Sequence, residues 1–391
     1  MKEAMVMFKR LIALMLLGCI LFTLPVLAED SDEDFSDEEL LEAPEILGKD
    51  HDYKYNGRYP HIGPLYEEKS REDFTLSSPA LYRAKFIANS SAYRDRDIDS
   101  EKLIRSGANG KTVDVLYVGS YWAIIRSGGE IAYCKRYKLE EPEAVDPDNT
   151  PRYGTQKHAY IATTADVCEV RVSMDNTDAC WVVLNPGTQI SVWGIQDGWA
   201  IVNYWRVYGY IEISDLKDLA PVSPTDTPLY QEAPIAAYTS YYKMDQTESN
   251  INRINNISVA CQRLTGVLAP GESFNFNEDA GPYTKEIGYR EAPVLINGKS
   301  EPGYGGGTCQ VSSTLYNALL QLPGVEIVHR RPHGPAGADY LPHGVDAAVG
   351  NTDLNLIFTN RYDFPIRIEG HTSDDGALCM LVYRVWPEDA Q

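Results

Sequence analysis

Apolar residues recur with a helical period just after the three glycines at 305–307. Val311, Leu315 and Leu319 are spaced four residues apart, so they share one face of a helix. Thr308 precedes this run as a candidate N-cap, and the dipeptide at Pro323 supplies a stop signal. The pattern therefore predicts a helix that begins beside the glycines and ends before Pro323.

A second helical pattern and several alternating patterns surround this segment. Thr247 is a candidate cap for a helix that Gly266 ends, with an apolar face of Ile251, Ile254, Ile257, Cys261 and Leu264. Alternating apolar and polar residues predict strands at 273–276 and 325–328, and further strands are expected at 345–349, 354–358, 366–368 and 378–385. Two helices and a late antiparallel sheet predict an α+β domain over residues 235–388.

The middle of the chain repeats itself at an offset of 77 residues. Trp122 and the three residues after it correspond to Trp199 and its successors, and Tyr133 corresponds to Tyr210. Short alternating runs between these landmarks predict four or five strands per copy, hence two small β-barrels at 79–142 and 155–220. The proline-containing segments 140–152 and 220–234 are interpreted as linkers.

The N-terminus combines two basic residues with a long apolar run from Leu11 to Ala28. This order is typical of a secretory signal, so we expect residues 1–28 to be removed by cleavage after Ala28. A lipoprotein-like sequence ends at Cys19, and the run nears bilayer-spanning length, so lipidation and retention as an anchor stay open. The expected location is secreted or envelope-associated, with membrane contact only through this segment.

The net charge of −21 makes nucleic acid an unexpected partner. Much of the acidity lies directly after the apolar run, in the segment 29–39. Residues 29–78 are therefore interpreted as an acidic, irregular linker.

Six cysteines follow the signal segment: Cys134, Cys168, Cys180, Cys261, Cys309 and Cys379. Cys168 and Cys180 are the best candidates for a disulfide in an exported protein, although their spacing does not establish one. Neither a CxxC motif nor a cysteine–histidine cluster with zinc spacing occurs, so no metal site and no cofactor are predicted.

Cys309 is the candidate nucleophile. A thiol in the first turn of a helix feels the positive end of the helix dipole, which favours the thiolate, the nucleophilic form. The preceding glycines carry no side chains and let other groups approach closely. The alternative is a small buried apolar residue at a helix start.

The second copy of the repeat resembles the bacterial SH3-like domain family. The resemblance rests on its segments 168–171 (CEVR), 187–190 (GTQI), 198–202 (GWAIV) and 208–211 (YGYI), with Leu216 closing; the first copy is more degenerate. It implies two SH3-like barrels that bind cell-wall peptide or glycan, with Trp122, Trp199, Tyr133 and Tyr210 as candidate binding residues. A spacer role, with the tryptophans as barrel core, stays open.

The C-terminal domain resembles the VanW family. The matching motifs include 252–257, 270–275 (PGESFN), 305–318 (GGGTCQVSSTLYNA), 346–349 (DAAV) and 353–360. The resemblance covers roughly two-fifths of the chain and implies an exported or envelope-associated protein connected with glycopeptide resistance. It does not name a reaction.

A cysteine, then a histidine, then a carboxylate is the chain order of papain-like thiol hydrolases. Cys309, His333 and Asp346 fit that order, with His333 as general base and Asp346 orienting it. His329 and His343 compete for the base role, while Gln310 or backbone N–H groups are candidate oxyanion donors. Glu272 and Arg330 are further polar candidates.

Two classes of function follow from these patterns. The first is a cell-envelope enzyme whose thiol acts on peptidoglycan peptides or related amides. The second is a non-enzymatic wall-binding or scaffold protein in which Cys309 is structural. An exposed thiol close to His333 would favour the enzyme, and a buried thiol would favour the binding protein.

Overall fold

The computed structural model describes residues 45–46, 69–119, 122–147, 150–175, 179–205, 207–296, 299–334, 338–342 and 344–386. The predicted signal segment, the Cys19 motif, most of the acidic segment 29–78 and His343 lie outside the described residues. In the part that is described, the chain is mainly β-structure with three α-helices and several sheets. No helix of that part is long and apolar enough to cross a bilayer.

The first copy of the repeat forms one sheet. Its strands are β2 (Tyr82–Phe86), β3 (Ser91–Tyr93), β4 (Lys102–Arg105), β5 (Lys111–Val118), β6 (Trp122–Ser127), β7 (Glu130–Lys135) and β8 (Leu139–Ala144), after the short β1 (Glu45–Ile46). The sheet order is β4-β3-β7-β6-β5-β2-β8. Alternate residues of β2, beginning with Tyr82, point inward, so buried and exposed residues alternate with the period of two expected of a half-buried strand. The core here includes Phe86, Val115 and Ile125.

The second copy divides its strands between two sheets. The strands are β9 (Tyr160–Thr164), β10 (Cys168–Arg171), β11 (Ala179–Leu184), β12 (Gln189–Val192), β13 (Gly194–Gln196), β14 (Trp199–Tyr204), β15 (Val207–Glu212) and β16 (Leu216–Pro221). The sheet orders are β1-β11-β10-β15-β14-β13 and β12-β9-β16. Short 3₁₀ helices occur at Arg71–Asp73, Arg136–Lys138, Ile213–Asp215 and Lys285–Ile287.

Strands of the two copies begin at corresponding positions. Trp122 opens β6 and pairs with Lys135, whereas Trp199 opens β14 and pairs with Glu212, so the register is the same at the 77-residue offset. Tyr133 faces Ile124 as Tyr210 faces Ile201. The described strand orders are open at both ends, so a closed SH3-like barrel is not confirmed.

The C-terminal domain, residues 236–386, packs helices against sheets. The helices are α1 (Glu248–Leu264), α2 (Phe276–Asp279) and α3 (Thr308–Leu319). The strands are β17 (Ala236–Tyr241), β18 (Gly266–Leu268), β19 (Ser273–Asn275), β20 (Glu291–Ile296), β21 (Lys299–Tyr304), β22 (Val325–Arg330), β23 (Leu356–Asn360), β24 (Ile366–Thr372) and β25 (Ala377–Arg384). They form the sheets β17-β25-β24-β18, β19-β23-β22 and β20-β21, in agreement with an α+β arrangement.

Helix α1 begins where its capping residue predicts. The Thr247 side chain accepts a hydrogen bond from the Asn250 N–H, which satisfies one of the amides that a helix leaves open at its start. Ile257 is fully buried, but Ile251 is 41% exposed, so the predicted apolar face is wrong at its first position. Asn250 is buried instead, because its amide donates to the carbonyls of Lys243 and Asp245.

Both predicted linkers are packed against the C-terminal domain. Arg152 of the first linker donates to the carbonyls of Pro323 and Val325, and Thr155, just after it, donates to Leu320 O at 3.0 Å. Val222 of the second linker is buried in a cluster with Ala237, Cys379 and Leu381 of the C-terminal domain. Proline and charge alone therefore did not reveal that these segments would pack against the C-terminal domain.

A buried polar network joins the second copy to strand β17. His158 is fully buried, and its Nδ1 lies 2.8 Å from Ser191 Oγ. Ser191 in turn bonds Thr239 through both its N–H and its hydroxyl. Because each polar group has a partner, burial of this contact is compatible with a fixed arrangement of the two parts.

Candidate active site

Helix α3 starts at a glycine that no other residue could replace without strain. Gly307 is the N-cap, with φ of 107°, in the left-handed region. A Cβ there would lie 2.9 Å from Arg253 Cγ and 3.1 Å from Ile257 Cγ1. Thr308 was predicted as the cap, but it is the first helical residue, and its hydroxyl donates to Gly305 O. The third glycine thus brings α1 against the start of α3.

Cys309 follows in the first turn of α3 and is partly exposed, whereas the other five described cysteines are buried. The thiol lies 3.4 Å from both the N and the O of Val349. Burial raises the pKa of each of the other five thiols: Cys134, Cys168, Cys180, Cys261 and Cys379. Cys309 is therefore the described thiol that reagents can reach.

The suggested Cys168–Cys180 disulfide is absent, because both thiols are free. The pairing of β10 with β11 explains this. Cys168 lies opposite Leu184, and Cys180 lies opposite Arg171, so the two cysteines are at different positions along the ladder. Disulfide bonds need closely approaching Cβ atoms.

Segment 345–349 forms one wall of the site and is not the strand that was expected there. Side chains of α3 take the place of a partner strand. Ser313 accepts from Ala347 N at 2.9 Å and donates to Ala347 O at 3.1 Å, and Asn317 donates to Val345 O at 2.7 Å. We call this set of bonds, with the Cys309–Val349 contacts, the side-chain ladder. It satisfies backbone groups that would otherwise be buried without partners.

Asp346 lies within this wall, and its carboxylate meets His333. Asp346 is 1% exposed, and its Oδ2 accepts from His333 N at 2.7 Å and lies 2.6 Å from His333 Nδ1. Arg330 fixes the same segment by donating to the carbonyls of Asp346 and Gly344, at 2.7 and 2.8 Å. The bond at Nδ1 fixes the tautomer and leaves Nε2 as the other nitrogen of the ring.

The charges of this pair reinforce each other. Burial opposes protonation of His333, but hydrogen bonds to Asp346 and Cys309 and electrostatic interactions with both residues outweigh it and raise the pKa of His333 to about 10. Burial also opposes ionisation of Asp346, but hydrogen bonds from His333 and the nearby Arg330 charge hold its pKa below the usual range. An imidazolium paired with a carboxylate is the favoured state at neutral pH.

The structure thus brings Cys309, His333 and Asp346 into one interacting set. The His333 side chain is 21% exposed, so this set opens to solvent at the imidazole. Tyr340, Tyr283 and Arg253 also interact electrostatically with Cys309, and sequence reasoning did not find them. The sequence signal that could have indicated Arg253 was the glycine run, because glycines allow another element to pack closely against the start of α3.

Gln310 does not serve as the predicted side-chain oxyanion donor. It is 1% exposed, and its amide nitrogen donates to Ser240 Oγ at 3.1 Å and to Tyr241 O at 2.9 Å. These two bonds use both amide hydrogens. Within the described residues, no acceptor is found for the backbone N–H of Cys309, whereas those of Thr308 and Gln310 bond Gly305 O and Gly307 O. The Cys309 N–H is therefore the available donor.

The other polar candidates have local roles. His329 Nε2 lies 3.1 Å from Asp353 O, and the Glu272 carboxylate accepts from Ala269 N. His343 lies outside the described residues. Among the residues that the structure describes, no group of three or more histidine, cysteine or acidic side chains is arranged to hold a metal ion.

The four aromatic candidates of the repeat lie apart from the thiol, on the sheets of the two copies. Trp122 and Trp199 are half-buried, while Tyr133 and Tyr210 are each 7% exposed. Lys135 lies 3.7 Å from the Trp122 ring centre, and Arg171 lies 5.6 Å from that of Trp199. Each indole thus packs against a cation of its own copy.

The C-terminal domain is similar in sequence to a known protein family and to two curated proteins. Residues 252–383 match the VanW family, described as VanW like protein. "Uncharacterized protein YoaR" of Bacillus subtilis (strain 168) is 38% identical over 150 residues, which are 38% of this chain and 47% of that protein. "Vancomycin B-type resistance protein VanW" of Enterococcus faecalis (strain ATCC 700802 / V583) is 30% identical over 123 residues, which are 30% of this chain and 44% of that protein.

The chain spans slightly less than half the length of these curated relatives. Among solved structures, NlpC2 from Trichomonas vaginalis is 11% identical, and the alignment covers 80% of this chain and 92% of that one. Its TM-score of 0.15 is too low to support an argument about fold or function. The family match and the two relatives together support the VanW family for the C-terminal domain of this protein.

Proposed function

We propose that this protein is a cell-envelope protein whose VanW-like domain uses Cys309 as a nucleophile on amide bonds of peptidoglycan peptides. One observation carries the proposal: His333 interacts with the buried Asp346 carboxylate and with the partly exposed thiol at the start of α3. A nucleophile, a base and a group that orients the base form the arrangement of thiol and serine hydrolases.

The chemistry follows from these positions. Cys309 attacks the carbonyl carbon as a thiolate, with its proton held on His333, and the carbonyl oxygen becomes an oxyanion near the Cys309 N–H. Collapse of the tetrahedral species breaks the C–N bond, and His333 gives its proton to the leaving amine. The thioester that remains is attacked by water, which loses a proton to neutral His333, and the acid and thiol are released.

The setting in the envelope rests on the sequence. The N-terminal pattern of a basic start, an apolar run and an acidic continuation supports export. The SH3-like motif of the second copy supports binding of wall peptide or glycan, and the corresponding cation-packed indoles give each copy a similar surface. These modules would hold the thiol site near its substrate.

A second candidate is a wall-binding protein in which Cys309 is structural. The observation that favours it is the position of the thiol between Val349 N and Val349 O, where it completes the side-chain ladder. In that case the site would bind a wall peptide without reacting with it.

A cleavage assay separates the two candidates. Purified protein is incubated with peptidoglycan fragments, and released peptides are identified by mass spectrometry, alongside Cys309→Ser and His333→Ala. We expect release by the wild type and none by either variant, while His329→Ala, a change at an unrelated exposed histidine, leaves release intact. Release that persists in Cys309→Ser would contradict the thiol nucleophile, and no release and no thioester from any wall fragment would leave the binding protein as the better account.

A further inference from the structure

Arg253 reaches from α1 across the first turn of α3. Its Cγ lies where a side chain on Gly307 would be, 2.9 Å from that Cβ position, and its Nη2 donates to Gln310 Oε1 at 2.8 Å. It therefore lies against Gly307, two residues before Cys309, and bonds Gln310, the residue after it. The absence of a side chain at Gly307 makes this crossing possible.

The guanidinium is incompletely satisfied in this position. It carries five N–H donors, and Gln310 Oε1 is a neutral acceptor that takes one of them. No carboxylate of the described residues lies within ion-pair distance of Arg253; Asp339 attracts it only at longer range. Arg253 is half-buried, and none of its guanidinium nitrogens is both buried and without a partner, so the N–H groups that do not bond Gln310 open to solvent.

The charge also lies close to the reactive group. Arg253 is half-buried, and it interacts electrostatically with Cys309 and with Tyr340. Burial lowers the pKa of Arg253, while Tyr340, Cys309, Tyr242 and Asp339 counteract that effect. An arginine remains charged under such conditions.

We propose that Arg253 is a substrate-binding residue that holds a carboxylate of the peptide beside the bond that Cys309 attacks. This rests on the proposed thiol function and names its substrate class: an acidic peptide with a free carboxylate near the scissile amide. The planar guanidinium suits a carboxylate because two parallel N–H···O bonds fit its geometry. The carboxylate is either the peptide C-terminus or an acidic side chain.

The first experiment does not depend on catalysis. Cys309 is alkylated with anionic iodoacetate and with neutral iodoacetamide, and the ratio of the two rates is compared in wild type, Arg253→Gln and Arg253→Lys. We expect the ratio to fall about fivefold in Arg253→Gln and to be largely kept in Arg253→Lys, since one nearby positive charge is lost or retained. Glutamine can still donate to Gln310 Oε1, which limits any effect on folding.

Arg263→Met is the matched control. Arg263 lies ten residues further along α1, about 15 Å away, and bonds the carbonyls of Ala280 and Gly281. Its replacement should leave the ratio unchanged. A ratio that is the same in wild type and Arg253→Gln, with normal far-UV circular dichroism, would overturn the proposed anion site.

The second experiment identifies the carboxylate. Synthetic stem peptides are compared with analogues amidated at the C-terminus or at the acidic side chain. Amidation of the recognised group should raise KM about tenfold for the wild type and have no effect in Arg253→Gln. If no peptide is cleaved but the alkylation ratio still falls, the anion site stands and the hydrolase proposal fails. If peptides are cleaved but neither KM nor the ratio depends on Arg253, the hydrolase proposal stands and the anion site fails.

Discussion

Two helices of the C-terminal domain each carry a cysteine, but the surroundings of the two thiols differ in exposure and charge. At the start of α3, Cys309 is partly exposed and interacts with the charged pair of His333 and Asp346. On the inner face of α1, Cys261 packs over β24, where Gly370 leaves room for it: a Cβ on Gly370 would lie 2.2 Å from Cys261 Sγ. Burial raises the pKa of Cys261 to about 12.

The difference shows that a helical setting does not by itself make a cysteine reactive. Both residues belong to helices of one domain, but only the first-turn cysteine has an imidazole and a side-chain ladder next to it. What separates them is the surroundings: a charged pair and solvent at one, and apolar packing at the other. Four predictions test this comparison.

The largest effect is expected from Asp346→Asn. Loss of the carboxylate should reduce the rate of peptide cleavage about 1,000-fold, because His333 loses the group that orients its ring and stabilises its protonated form. The pKa of His333 should fall from about 10 towards its ordinary value, as measured by NMR titration of the imidazole. His329→Ala is the control. A His333 pKa that is unchanged in Asp346→Asn would show that the pair does not set the charge of the site.

The two thiol regions should also differ in alkylation. At pH 6, iodoacetamide should modify Cys309 about 100 times faster than Cys261 or Cys379, as measured by mass-spectrometric mapping, because only the thiolate reacts and burial disfavours it at the other two. His333→Ala should slow labelling of Cys309 about tenfold. Equal rates at all three cysteines would contradict the distinction drawn here.

Closed packing at the second region predicts a stability effect without an effect on the site. Gly370→Ala should lower the free energy of unfolding by about 2 kcal/mol, because its methyl group overlaps Cys261 Sγ. Combination with Cys261→Ala should recover part of that loss, which urea denaturation of the single and double variants would measure. Additive losses in the double variant would mean that the overlap is not the cause.

The smallest effect is expected at the side-chain ladder. Ser313→Ala removes two bonds to Ala347 and should cost about 1 kcal/mol of unfolding free energy. It should also change the labelling rate of Cys309, since the wall that carries Asp346 would shift. Ser258→Ala, which removes only a 3.4 Å contact with Gln262 on α1, is the control and should change neither quantity.

The sequence predicted the elements that rest on local rules. Thr247 caps α1 as expected, and the helix after the three glycines lies where the four-residue spacing of Val311 and Leu315 placed it. The order of cysteine, histidine and aspartate also pointed to groups that interact. Local capping and periodicity are physical properties of short segments, so they can be recognised without a fold.

The errors arose where distant partners decide the structure. Residues 345–349 were expected to form a strand, but Ser313 and Asn317 of α3 satisfy their backbone groups instead of a partner strand. The Gln310 amide donates to Ser240 and Tyr241, which lie on β17 about 70 residues earlier in the chain. Arg253 gave no periodic signal at all. Such pairings depend on tertiary packing, which overrides a local pattern.

The packed linkers affect the distance between the second copy of the repeat and the thiol site. Arg152, Thr155 and the His158 network hold the second copy of the repeat against the C-terminal domain. A ligand at Trp199 and a substrate amide at Cys309 would then be separated by a set distance. A flexible tether would let one binding event raise the local concentration for the other over a range of spacings. Under the proposed function, a fixed spacing would instead favour wall segments in which the bound group and the attacked amide lie one set distance apart.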